Sequence, residues 1–116
     1  MSQHNNIEQI RAKNALGDVA KNARKKANEG DNLSGYPSLI INNGLIATIA
    51  FSLDKGHQHQ RIAEALAFHL NERKILSAKD AIGLRDALCN GNASTLQRAT
   101  HEALQFLSYL KRFQRG

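Results

Sequence analysis

The chain predicts an all-α fold, a single-domain bundle of five to six helices over residues 1–116. Three observations carry that prediction. Apolar residues recur at three- and four-residue spacing from one end to the other, and no segment alternates apolar and polar residues with β-branched enrichment. Asn, Gly and Pro gather between those periodic stretches, where helices stop and start. At 116 residues the chain is long enough to bury about two thirds of its unfolded surface around one core.

The first helix is expected from Ile7 to Asn28, after a frayed start over residues 1–6. Its apolar arc is Ala12, Ala15, Leu16, Val19, Ala23 and Ala27, with Arg11, Asn14, Asp18, Lys21 and Lys25 opposite. Ile7 and Ile10 fall on the basic side. Either the helix begins after Ile10, or these two side chains face another chain. Asn28-Glu29-Gly30 stops the helix, since glycine readily takes the left-handed conformation of a helix C-terminus. After loop 31–35, Pro37 suits the first turn of a short helix, where its missing N–H has no partner to lose. Asn42-Asn43-Gly44 ends or kinks that helix, and a compact apolar one follows to about Leu53. Leu39, Ile40, Leu45, Ile49 and Phe51 read as core, with Ala47, Ala50 and Ser52 permitting close helix approach. Asp54-Lys55-Gly56 is a turn. Ile62, Ala63, Leu66, Ala67 and Leu70 then mark an amphipathic helix ending near Arg73. Ser77 and Asp80 have capping-box spacing and open a helix carrying Ala81, Ile82, Leu84, Ala87 and Leu88, closed by Asn90-Gly91-Asn92. Ser94 and Gln97 repeat that spacing before the last helix, whose arc is Leu96, Ala99, Ala103, Phe106, Leu107, Leu110 and Phe113.

Composition narrows the function classes. A lone cysteine, Cys89, rules out an internal disulfide, no apolar run nears the length of a membrane span, and the first residues are too polar for a signal peptide. A cytoplasmic protein is expected, with no membrane partner. Sixteen Lys and Arg against ten Asp and Glu leave +6, a balance suited to phosphate or to an acidic protein face. Aromatic content is 5% with no Trp, so platforms for stacking bases are scarce and backbone contact is favoured over base reading.

Residues able to do chemistry do not assemble. His57 and His59 lie two apart, on different sides of a helix, with no further ligand at metal spacing. His4, His69 and His101 read as exposed or helix-edge residues, and Cys89, with no His partner, as a small apolar filler. Asn43-Gly44 lacks the glycines and lysine of a phosphate loop. No active site, metal or cofactor is expected. Basic residues are better organised. Lys21, Arg24 and Lys25 share a side of the first helix, continued by Arg11 and interrupted by Asp18. Arg98, Gln105 and Arg112 recur every seventh residue on the last helix, flanked by His101, Ser108 and Arg115, with Glu102 the sole acid at the edge. Such rows fit a nucleic-acid backbone, an acidic protein, or a solvated face whose terminal cations complement the helix dipole.

Two segments narrow the choice: Tyr36 to Phe51, built around Asn42-Asn43-Gly44-Leu45, and Ala99 to Phe113, ending Leu110-Lys111-Arg112-Phe113. Together they resemble the small all-helical subunit of the type III-B CRISPR effector, the fifth protein of the Cmr (RAMP module) set, from about Tyr36 to the C-terminus. The resemblance implies a non-catalytic subunit, present in several copies along a guide RNA and its target RNA, beside larger RAMP subunits. It favours RNA backbone as the ligand of Arg11, Lys21, Arg24, Lys25, Arg98 and Arg112. Residues 56–59 and 71–77 match no signature of the family. Two other classes stand against it. Ala87-Leu88-Cys89-Asn90-Gly91 has the alanine and turn glycine of a helix-turn-helix regulator, although Asn90 and Gln97 are polar where that motif packs apolar residues. A basic helical adaptor that binds an acidic protein is the other.

Overall fold

A computed structural model describes residues 6–25 and 31–114, and within them every regular element is helical. The described residues form seven helices: α1 Ile7–Leu16, α2 Asp18–Arg24, α3 Tyr36–Asn43, α4 Leu45–Lys55, α5 His57–Glu72, α6 Ala81–Asn90 and α7 Ala93–Arg112. The all-α expectation holds, and the count exceeds five to six because the expected first helix is two. The backbone is extended at Gly17, with φ −74° and ψ 176°. The chain turns there because α1 packs on α7 whereas α2 packs chiefly on α5. Glycine inside a helix is already about 1 kcal/mol worse than alanine, so little is lost by breaking at this point. Arg24 reaches back to donate to the Ala15 carbonyl, one of the acceptors the break exposes. The turn also carries Leu16 and Val19, expected in the apolar arc, out to the surface. The expected stop at Asn28-Glu29-Gly30, with Ala27, lies outside the described residues, as do residues 1–5 and Arg115.

Capping settles several boundaries. Asn6 and Gln9 form a reciprocal capping box, so α1 does begin at Ile7 and the later start is excluded. Asp80 rather than Ser77 caps α6, accepting from the Gly83 N–H, and Asn92 rather than Ser94 caps α7, accepting from Thr95. Gly44 (φ 91°) and Gly56 (φ 74°) each close one helix and open the next, with backbone that other residues adopt only under strain. Helix α5 ends in a Schellman motif: Lys74 is left-handed at φ 57°, its N–H bonds Asn71 O, and the Ile75 N–H bonds Leu70 O.

Helix α5 is the spine of the bundle, packed by α2, α4, α6 and α7. Ile62, Ala63, Leu66, Leu70, Phe106, Leu107, Leu110, Ile40, Leu45, Ile49 and Leu84 form one contiguous core. The middle segment joins it through Tyr36, whose hydroxyl lies 2.5 Å from Ser52 Oγ, while Ser52 donates to Thr48 O. Ala47, Ala50 and Phe51 do not join it. They face outward, and Phe51 meets His59 edge-on at 5.3 Å. Ile82 is likewise exposed, and so is Cys89, which is not the apolar filler expected. Helix α6 packs on α4 and α5, and Gly91 is extended, so the turn geometry of a helix-turn-helix pair is not formed.

Candidate nucleic-acid interface

The break at Gly17 dismantles the continuous basic face expected of a single first helix. Lys21 and Lys25 remain exposed on and just after α2. Arg24 is half-buried and tied to the Ala15 carbonyl. Arg11 points the other way, into a bidentate pair with Glu102 at 2.8 Å through both Nε and Nη2. On α7, Arg98 and Arg112 are exposed, with His101 and Ser108 beside them. At about 1.5 Å rise per residue, Arg98 and Arg112 stand about 21 Å apart. None of Lys21, Lys25, Arg98 and Arg112 takes part in an ion pair among the described residues. The six expected contact residues therefore divide into two engaged in the fold and four presented to solvent.

Glu102, expected at the edge of the basic face, is instead buried and holds three elements together. Its Oε1 accepts from Arg11, and its Oε2 accepts from Arg11 and from His69 Nε2 at 2.8 Å. His69, expected at the surface, is fully buried and stacks on Phe106 with ring centroids 4.1 Å apart. A carboxylate only accepts, so Nε2 carries the proton, and Nδ1 accepts from Asn14 Nδ2 at 3.0 Å. The imidazole is thus neutral. Burial pushes its pKa below the usual value against the opposing pull of Glu102. Burial would raise the Glu102 carboxyl, but hydrogen bonds from Arg11 and His69 and the charge of Arg73 outweigh it and hold it down to about 2. Arg73 Nη1 sits 3.2 Å from Glu102 Oε1, near enough for ion pairing. It is misaligned for a hydrogen bond, and so this buried donor has no acceptor among the described residues.

A second polar hub fastens loop 31–35 to the C-terminal end of α7. Asp31 accepts from Gln114 at 2.7 Å, from Lys111 at 3.2 Å and from buried Gln58 at 3.3 Å. Burial raises its pKa, but these donors and the Leu33 N–H leave it well below the usual carboxylate range. Lys111, although half-exposed, is therefore engaged in the fold, whereas Arg112 beside it makes no ion pair among the described residues.

Among the described residues no three His, Cys, Asp or Glu side chains come together in a way that would hold a metal ion. No helix there is long and apolar enough to cross a membrane. Sequence reasoning missed Arg73, His69 and Glu102 as partners because their contacts join residues far apart in the chain. The one available signal was a lone acid, Glu102, on an otherwise basic helix face.

Comparison with protein families finds a match over residues 7–116 to the family described as CRISPR-associated protein (Cas_Cmr5). Comparisons with curated proteins and with solved structures found no match.

Proposed function

The chain belongs to the CRISPR-associated Cas_Cmr5 family and is thereby a subunit of a Cmr complex, and on that premise we propose that it is a non-catalytic small subunit that holds RNA backbone. Several copies stack beside larger RAMP-type subunits, along a guide RNA paired with its target. Sequence recognition belongs to guide–target pairing, and catalysis to other subunits. The observation that carries the RNA reading is the division of the cations. Arg11, Arg24 and Lys111 are bound into the fold, while Lys21, Lys25, Arg98 and Arg112 are exposed and unpaired among the described residues. Contacts from exposed Lys and Arg to phosphates carry no sequence information, which suits a subunit laid along any guide. The non-catalytic assignment is supported by the structural employment of the best-placed titratable groups, His69 and Glu102.

The test is to tag the protein in its host and isolate it at low salt. Larger RAMP-type proteins and short RNA of uniform length are expected to co-purify. Reversing Lys21, Lys25, Arg98 and Arg112 together is expected to reduce RNA retention at least tenfold while the melting temperature stays within a few degrees. Undiminished retention overturns the interface. Arg24 is left out of that variant because its loss strips the Ala15 carbonyl of its partner and confounds binding with folding.

A further inference from the structure

Between the start of α1, the C-terminal end of α5 and the first half of α7 lies an open groove of about 370 Å³. Arg11, Arg73, Gln97, Arg98, His101 and Glu102 supply its polar lining, and Ile7 and Ile75 its apolar walls. We propose that this groove is a seat for one phosphate of an RNA backbone, gripped by Arg73 and Arg98 with Gln97 and His101 at the rim. The proposal deepens the RNA reading above and rests on it.

Charge and hydrogen bonding both leave the groove short of an anion. Three guanidiniums meet one carboxylate there, and that carboxylate is already shared. Both Glu102 oxygens already accept from Arg11, and Oε2 accepts from His69 as well. Arg73 Nη1 is buried and ion-paired with Glu102 Oε1 at 3.2 Å, yet it makes no hydrogen bond, an uncommon and costly state for a charged donor. Arg98, one turn before Glu102 on the same helix, is exposed at the mouth. Every cation of the groove is arginine. The planar fork of that side chain takes two oxygens of a phosphate at once, which an ammonium cannot do. Half-exposed Ile7 and buried Ile75 thin the water beside the site, strengthening each charge-assisted bond. The N-terminal turn of α1, whose exposed isoleucine fitted no intramolecular role, becomes one wall of the seat.

Two variants of the full chain test the seat. Arg98→Gln removes an exposed charge, and Arg73→Lys keeps the charge but loses the fork. Each is expected to lower affinity for a single-stranded RNA about tenfold. Arg98→Gln is also expected to reduce the salt slope by about 0.7. Thermal melts identify any variant that fails to fold, and the phosphate titration below keeps the test valid if Arg73→Lys does. In a parallel titration, inorganic phosphate is expected to shift the amide resonances of Gln97, Arg98 and His101 where chloride of equal ionic strength does not. Shifts that saturate with phosphate and recur at the same three amides in the RNA complex assign the seat to RNA phosphate. Phosphate shifts with unchanged RNA affinity in both variants mean a free-anion site and overturn the proposal. If the Lys21, Lys25, Arg98 and Arg112 reversal loses RNA while Arg98→Gln and Arg73→Lys bind it normally, the seat fails and the wider RNA reading stands. If the unmodified chain holds no RNA, alone or in its complex, both fail.

Discussion

Glu102 and His69 show how far a single side chain can depart from its sequence neighbourhood. Glu102 ties α1 to α7 through Arg11 and ties α7 to α5 through His69. Replacing it by glutamine keeps the volume but leaves the Arg11 and Arg73 charges without their counter-charge. Glu102→Gln is expected to cost about 3 kcal/mol in urea unfolding. The same pair sets the acid response. His69 is held neutral with a pKa below its ordinary 6.5, so the unfolded chain takes up its proton first. Its contribution is complete above that value and declines as pH falls beneath it. His59, lowered by burial and by Lys55, adds to the same stage. Glu102 is held ionised, with its pKa lowered from 4.5 to about 2, so its contribution is complete above 4.5 and lost as pH falls toward 2. Melting temperatures across this range are expected to fall in two stages, with His69→Gln shrinking the upper one. A flat profile down to the carboxylate range would contradict the neutral imidazole.

At the scale of the elements, the informative features are the ends. Lys74 occupies the left-handed position of the Schellman motif that closes α5, a place usually held by glycine or asparagine. Relief of that conformation is worth about 1 kcal/mol, so Lys74→Gly is expected to raise the melting temperature by several degrees, and a decrease would show that the lysine side chain matters there. Gly44 and Gly56 are the converse, already glycine at φ 91° and 74°, and both were readable as helix breaks. Gly17 is different in kind. Its backbone is one any residue adopts, and a Cβ there would make only ordinary contacts with Lys13 O and Asn14 O at 3.5 and 3.6 Å. The break at Gly17 comes from the divergent packing of α1 and α2, which local pattern does not contain.

For the molecule as a whole, a subunit that sees backbone and shape should bind RNA indifferently to sequence. Unrelated strands of equal length are expected to bind within about twofold, with affinity falling on added salt by a slope of about 0.7 per phosphate contact. Strong preference for one sequence would point to base reading instead. How much of this was legible beforehand follows the range of the interactions. Helical periodicity, Pro37, Gly44 and Gly56 act within a turn or two of the chain, so the all-helical class and most boundaries could be read from them. The family resemblance rested on the Asn42-Asn43-Gly44-Leu45 and Leu110 to Phe113 segments and is matched by the family comparison over residues 7–116. Which cations face solvent could not be read. Arg11 and Lys21 look alike on a helical projection, and only the meeting of α1 with Glu102, 91 residues away, removes one of them from the surface. The sequence by itself determined the all-helical class and the surplus of positive charge, because both are local or additive. Only the tertiary structure decided where that charge is free to act, because burial and pairing depend on helices that adjoin in space and not along the chain.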